Sequence, residues 1–516
     1  MVHLTDIAYE LLERVFLLTD IQSLGRLQQV SKLCLEVIQS SVRIRYKLEL
    51  ALEGLEDGPP GGLSPAERLE ALLGRKGPWR ATRSSRIDPL SKKVHAWTYG
   101  ANFLSWIDTD GIIFFVELPS DVKKISAKSW AVQGLPFHLA CKESLKIDPF
   151  QNLFVVASIL PDPQWQLSVQ IRQMTTGDFH PECGRLFSLA LVETCQEEPV
   201  IHIGGDYLAI QYHAEPTLQR FTMVMVVMNW KTGAFLLYLI GQSLACAFLT
   251  EDHILIGHDE PNCHTLSVFD LRTCHGKGYY EQVAELKDQA ICQLLYPEKD
   301  QNCGEYRVDM ESGTPPPRSD HTNVTHLPFR TGWDRLILVR SFEPVEVVGE
   351  DAGHCASWVS TAAVMQCVRK VEHGEKDSKT FEWEEWGPEG SLMMCLGHRT
   401  SAYGCSTAFL YPFETDRRID TMIVYSFQQR ALRKALQSQS ESEVYTHPKI
   451  LGSNMFFASA EIETRLKGRM DVWNITKDLV GFDAKQVQFV LNEDTLVWVH
   501  PPRSADGQYL FELSIL

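Results

Sequence analysis

The residues of this chain that could do chemistry fall into a few small groups. His253, His258, Cys263 and His264 supply the donor types of a zinc site. Their spacing contains no paired Cys-x-x-Cys half-site, and a strand through His253 would send alternate residues to opposite faces, so zinc is not expected. His354 beside Cys355, and Cys395 near His398, are single pairs that suit core or surface positions. Asp108 and Asp110 could act as paired carboxylates in acid–base work. They stand just before Gly111, however, in the pattern of a hairpin turn, where Asp bonds the backbone. The chain has no phosphate-cradling Gly-x-x-x-x-Gly-Lys, no Gly-x-Ser-x-Gly and no His-Glu-x-x-His. The expectation is a chain with no catalytic residue, no metal and no cofactor.

Composition narrows the class. At 516 residues the chain exceeds what one hydrophobic core serves, which predicts two domains or one large repeat fold. A hydrophobic fraction of 44% and a charged fraction of 22% are ordinary for a soluble protein. The net charge of -17 argues against a nucleic-acid-binding surface over the whole chain. No apolar run reaches the roughly eighteen residues of a membrane span, and the first residues do not read as a signal peptide. Thirteen cysteines scattered without framework spacing suit reduced thiols, so a soluble cytoplasmic or nuclear protein is expected.

The elements that would position a function begin with a leucine-rich head. Ile7, Leu11, Val15 and Leu18 recur along one helical face. Thr19 with Gln22 predicts a capping box that opens a second helix, whose Ile21, Leu24 and Leu27 return every three residues. Leu12, Phe16 and Leu17 add apolar positions off the first stripe. Helices this short cannot bury all of these themselves, so part of the surface is expected to meet another protein or domain. Glu10-Leu11-Leu12, Val15-Phe16, Asp20-Ile21, the Leu24-to-Leu27 step and Val30-Ser31-Lys32 together resemble an F-box over residues 1–40. That resemblance implies a three-helix module that docks on a Skp-type adaptor and, through it, a cullin, with Ile7, Leu11, Leu12, Val15, Phe16, Leu24, Leu27 and Val30 at the family-matching positions. Some are expected at the adaptor surface and others in the module's own core. The chain departs from the family at Ile7-Ala8, where Leu-Pro is usual; losing a Pro at the first turn weakens the helix start.

Residues 41–89 read as a helical linker. Ile44, Leu48, Leu52 and Leu55 suit a helix that Gly58-Pro59-Pro60-Gly61-Gly62 ends. Ser64-Pro65-Ala66-Glu67 opens another, which Gly74 is placed to close. The arrangement is similar to linkers in fungal F-box proteins with a propeller behind them.

From residue 90 to 516 the period changes to two, and many short strands predict an all-β closed architecture. Gln428 to Gln437 is the best helical exception. A weak repeat ends strands in polar turns at Thr176, Thr232 and Thr273, about 56 and 41 residues apart, near the forty to fifty of propeller repeats. Trp230 and Asp270 stand where WD-repeat propellers favour Trp or Asp at the end of a third strand. This region resembles a divergent WD-type β-propeller of six to eight blades; a large sandwich or two barrels is the competing fold. Residues 297–330, with Thr314-Pro315-Pro316-Pro317, and residues 371–390, with Trp383 and Trp386 among acids, are expected to be long loops, the second able to bind a partner.

The fold class expected is therefore multi-domain: a small all-α F-box head followed by a large all-β domain. The function that the resemblance implies is a non-catalytic substrate receptor of an SCF-type ubiquitin ligase, with an unknown protein as substrate. Two alternatives stay open. One is a propeller-fold hydrolase whose helices serve dimerisation; a polar channel lined by His or carboxylates would favour it. The other is an F-box scaffold acting outside ubiquitination.

Overall fold

The structure is a computed structural model. It describes residues 7–59, 61, 63–74, 83–87, 94–120, 123–133, 142–160, 166–184, 187–190, 194–195, 198–215, 222–241, 243–260, 262–274, 281–282, 289–299, 307–313, 327–342, 354–396, 400–403, 406–412, 419–427, 444–445, 449–451, 462–466, 468–474, 488–491, 495–500 and 510–515.

Four short helices open the chain: α1 (Tyr9–Leu18), α2 (Ile21–Val30), α3 (Lys32–Ser40) and α4 (Val42–Leu52). Short polar caps punctuate them. Asp20 accepts from the Ser23 amide, Ser31 from that of Cys34 and Ser41 from that of Ile44, each satisfying an otherwise unpaired first-turn donor. The cap of α2 is therefore Asp20 and not Thr19, whose hydroxyl instead donates back to the Val15 carbonyl at 2.9 Å. Ala8 precedes α1 with no side-chain cap. The head's core draws on all four helices: Leu12, Phe16, Leu24, Cys34, Val37, Ile38 and Ile44 form one cluster. The head thus extends past residue 40. Lys47 of α4 donates to the Leu17 and Thr19 carbonyls at 2.7 Å each, closing the end of α1.

The linker is not wholly helical. Leu55, grouped with the helix by its periodicity, starts the strand Leu55–Asp57, which pairs antiparallel with Phe329–Thr331. α5 (Pro65–Gly74) follows, capped as expected: the Ser64 amide and hydroxyl reach Glu67 Oε2 at 2.8 Å each. Arg83–Ile87, placed in the linker by sequence, is a strand that pairs with the C-terminal strand Leu510–Ile515, so the β region starts earlier than residue 90.

Seven sheets of four or more strands follow among the described residues. The first holds Val94–Gly100, Phe103–Asp108, Ile113–Glu117 and Lys128–Val132; the second Lys142–Asp148, Leu153–Leu160, Gln166–Gln173 and Phe187–Ala190. The third is built on Val200–Gly204, Tyr207–Glu215, Thr222–Asn229 and Ala234–Gly241, the fourth on Leu244–Phe248, His253–Asp259, His264–Asp270 and Cys292–Leu295. The fifth comprises Arg307–Ser312, Leu336–Phe342, His354–Ser360 and Ser391–Leu396; the sixth is built on Thr400–Tyr403, Ser406–Pro412, Ile419–Ser426 and Gly468–Asn474. The seventh joins Gln488–Leu491, Thr495–His500 and Leu510–Ile515 to the early strand Arg83–Ile87. Each of these main runs is an antiparallel meander, and from the first sheet to the seventh the opening strand of one lies against the opening strand of the next.

Apolar alternation explains the stacking, because a sheet with two apolar faces must bury both. Ala96 and Ile107 pack with Ile147 and Val156 between the first two sheets, and Val155 and Ile171 with Ile203 and Val226 between the next two. Val94 and Trp106 of the first sheet share a cluster with Val497 and Val499 of the seventh. Glycines allow close approach: a Cβ on Gly204 would lie 2.2 Å from the Phe248 ring of the following sheet. The repeat turns at Thr176, Thr232 and Thr273 follow the third strands of the second, third and fourth sheets. Gly177 and Gly233 supply the left-handed residue in two of them, at φ 78° and 77°.

Both expected long loops carry regular structure. Residues 297–330 include the strands Arg307–Ser312 and the start of Phe329–Thr331; Thr314 to Ser319 lie outside the described residues. Residues 371–390 contain the end of α6 (Thr361–Glu372), the strand Thr380–Phe381 and α7 (Trp383–Gly390). Glu382 and Glu385 form the capping box of α7, and Trp383 and Trp386 are buried on Tyr296 with ring centroids 5.5 Å away, so these indoles belong to the core and offer no partner surface. Gln428 to Gln437 lies outside the described residues.

A candidate docking face on the N-terminal helices

The head divides its apolar residues between two sides. Leu12, Phe16 and Leu24 are 2%, 3% and 0% exposed and hold α1 and α2 onto α3 and α4. A helix places residues four and seven apart on one face, and Leu11, Val15 and Leu18 occupy such a face at 55%, 56% and 88% exposure. Val30, at the end of α2, is also exposed, while Ile7 and Leu27 are half-buried against the core. Of the eight positions taken from sequence, Leu12, Phe16 and Leu24 are thus removed from any docking surface, because burial leaves them no partner-facing area. Leu11, Val15 and Val30 remain available to one.

The linker fastens this head to the β region through polar contacts made by the buried Tyr46 and Arg68. Tyr46 donates to Asp57 Oδ1 at 2.9 Å or to the Pro328 carbonyl at 2.8 Å, and Arg68 Nη1 reaches the same two acceptors at 2.6 and 3.1 Å. Burial, with Asp57 next, pushes the Tyr46 hydroxyl well above its usual range, so it stays protonated as a donor. A cleft of about 930 Å³ beside this junction is lined by Leu17, Tyr46, Leu50, Trp333 and others.

The zinc-type residues go separate ways. His253 Nδ1 pairs with Thr250 Oγ1 at 2.7 Å, His258 Nε2 with Ser267 Oγ at 3.1 Å and His264 Nδ1 with Asp259 Oδ1 at 2.7 Å. Cys263 Sγ lies 3.8 Å from Thr265 Oγ1. Among the described residues no group of three or more metal-type side chains converges. Asp108 Oδ1 accepts from the Asp110 and Ile112 amides at 2.9 Å each, the turn role expected of it.

Sequence gave no signal for a polar group on the opening strands of several sheets. Lys146 comes from the second sheet, His202 from the third, and Asp309 and Glu311 from the fifth, with Arg340 on the adjoining strand. Arg340 Nη2 lies 2.7 Å from Asp309 Oδ2 and 3.1 Å from Glu311 Oε2. His202 Nε2 is 3.0 Å from Gln211 Oε1, whose amide nitrogen donates to the Leu244 carbonyl at 2.9 Å. That second bond fixes the amide orientation, so His202 carries its proton on Nε2 and its lone pair on Nδ1. Desolvation, then the Lys146 charge, lowers His202 to about 4. Opening strands this far apart in sequence are brought side by side only through the stacking of sheets, which no local motif encodes.

No family model and no curated protein matches the chain. Among solved structures it is similar to the WD40 domain of Toxoplasma gondii coronin, at 9% identity and a TM-score of 0.37, over 84% of this chain and 86% of that one. It is similar also to the computationally designed Ika8 protein, at 9% identity and a TM-score of 0.33, over 84% and 98%. A third is the β-propeller domain of the Trilobed protease from Pyrococcus furiosus, at 9% identity and a TM-score of 0.27, over 69% and 78%.

Proposed function

We propose that the chain is a substrate receptor of an SCF-type ubiquitin ligase, whose head docks a Skp-type adaptor and whose β region holds the target. The observation that carries this reading is the exposed line Leu11, Val15 and Leu18 on a helix whose other side builds the core. Leaving three large apolar side chains in water on one helix face is unfavourable by roughly 1.5–3 kcal/mol each, relative to burial, until a partner covers them. The β region is read as a seven-bladed propeller, closed where Arg83–Ile87 joins the last sheet and where Val497 and Val499 meet Val94 and Trp106. The mechanism is positional: a linker pinned at Tyr46, Asp57 and Arg68 sets a fixed offset between adaptor and target. Raised effective concentration near the charged carrier enzyme then speeds transfer with no acid or base from this chain.

The test is co-precipitation of a purified Skp-type adaptor with the full chain. Wild type is expected to retain it, and Leu11→Asp with Val15→Asp to lose it. A wild-type chain that binds no such adaptor overturns the reading. Ubiquitin-chain assays on the co-purified complex separate a ligase receptor from a scaffold that binds the adaptor alone.

A second reading, an enzyme working from the β region, has one observation in its favour: Arg340 held between Asp309 and Glu311 on adjoining strands of the fifth sheet. It is compatible with a docking head.

A further inference from the structure

The cleft of about 930 Å³ beside the Tyr46–Arg68 joint falls near the top of the roughly 300–1,000 Å³ in which proteins hold small molecules. Leu17, Ile21, Leu50, Leu63 and Trp333 give it an apolar wall. Three cations, Arg43, Lys47 and Arg68, share that wall with three acids, Glu56, Asp57 and Asp334. Two of the acids are already answered. Asp57 takes Arg68 at 2.6 Å, and Glu56 lies 3.7 Å from Arg330 of the strand paired with its own. Arg43 and Lys47 stand four residues apart on α4, which puts them on one helix face, where like charges repel. Lys47 gives two of its three N–H donors to the neutral Leu17 and Thr19 carbonyls. Among the described residues neither of these two cations pairs with an acid. Once the answered pairs are set aside, the wall holds two cations and one acid, the exposed Asp334, a net of one positive charge beside an apolar surface.

We propose that this cleft binds a fatty carboxylate, with its acid group at Arg43 and Lys47 and its alkyl chain against Leu17, Ile21, Leu50 and Leu63. The Arg43 guanidinium is a planar fork that matches a carboxylate with two parallel N–H donors, and Lys47 adds its remaining N–H. An anion at this point also removes the repulsion between the two cations. A monoanion balances the net charge of the wall, whereas an alkyl cation would meet the basic face of α4. The chain leaves water for an apolar surface, which favours binding in proportion to the area covered. Tyr46 and Arg68 hold the joint and not the acid group, because Asp57 and the Pro328 carbonyl already accept from both. Leu11, Val15 and Leu18 do not line the cleft. This inference is therefore independent of adaptor docking, and either can fail alone.

The experiment is isothermal titration calorimetry of the full chain with decanoate and, separately, with decylammonium, two ligands of equal chain length and opposite charge. Decanoate is expected to saturate one site and to bind about tenfold or more tighter than decylammonium, because a misplaced like charge costs at least that much. Arg43→Gln should weaken decanoate about tenfold or more, the size of one lost charge-assisted hydrogen bond. Arg45→Gln removes the same charge from an exposed position of α4 outside the cleft and should change nothing. Ala51→Phe fills the cleft from a half-buried position and should weaken both ligands. Leu11→Asp with Val15→Asp should leave decanoate at its wild-type affinity. Decanoate that binds no tighter than decylammonium overturns the proposal. So does an affinity unchanged in Arg43→Gln, or one lowered equally by Arg43→Gln and Arg45→Gln.

Discussion

Arg68 Nη1 lies 2.6 Å from Asp57 Oδ1, and from the same nitrogen it reaches the carbonyl of Pro328, more than 250 residues away in sequence, at 3.1 Å. Arg68 is 7% exposed, and its Nη2 donates to the Pro59 carbonyl at 2.7 Å. One side chain therefore ties α5, the strand Leu55–Asp57 and the strap before Phe329 into a single joint. Around it, Arg330 lies 3.7 Å from Glu56, and Lys123 sits over the Phe329 ring. This joint is what would convert a docked head into a fixed geometry for the β region.

Arg68→Ala should loosen that joint without unfolding the sheets. Hydrogen bonds to a charged group are worth about 1.5–3 kcal/mol, so a loss of roughly that size is expected locally. Hydrogen exchange should report it as faster exchange at residues 54–58 and 328–332, with protection in the second and third sheets unchanged.

The two sides of α1 should respond differently to mutation. Leu12→Ala and Phe16→Ala remove buried side chains and should each cost about 2–5 kcal/mol of head stability. Leu11→Asp and Val15→Asp change exposed positions and should leave the head's circular dichroism and melting within about 0.5 kcal/mol of wild type. Thermal melts of a head-containing chain check both.

Close packing between sheets gives a third expectation. A methyl on Gly204 meets the buried Phe248 ring at 2.2 Å, while one on Gly257 meets the terminal methyl of Met310 at 2.4 Å. A ring wedged between sheets cannot step aside, and a methionine end can. Gly204→Ala should therefore cost about 1–3 kcal/mol and Gly257→Ala less, by chemical denaturation of the full chain.

Acid should weaken the β region in a defined window. His202 is held at about 4, below the 6.5 of an unfolded histidine, with desolvation the main cause. The unfolded chain then takes up a proton that the folded chain refuses, so this stability is complete above pH 6.5 and is lost as pH falls toward 4. Its size is on the order of 3 kcal/mol. Burial also lowers His253 and His264. His202→Gln should thus reduce the slope of stability against pH between 6.5 and 4 without flattening it.

Much of this architecture could be read in the chain because its signals are local. Ser64 and Glu67 announce α5, and strict alternation announces Gln166–Gln173. The polar turns after Gln173, Asn229 and Asp270 mark the ends of third strands. What the sequence hid depends on distance. Trp383 and Trp386 read as exposed because acids surround them, yet a helix turns both indoles onto Tyr296 while Glu384 and Glu385 face water. The strand Leu55–Asp57 exists only because Phe329–Thr331 pairs with it, and α6 forms between strands of one sheet where the period-two pattern masked it. The docking candidates were legible as a set; which of them point outward depended on where α3 and α4 pack.

The most direct test of the central claim is the affinity of a purified Skp-type adaptor for the full chain by calorimetry, comparing wild type with Leu11→Asp/Val15→Asp at matched thermal stability. Loss of central interface anchors typically costs about 2 kcal/mol or more each, so the account predicts binding by wild type and at least a thousandfold weakening in the variant. Equal affinity for the two proteins, or no binding by wild type, would contradict it.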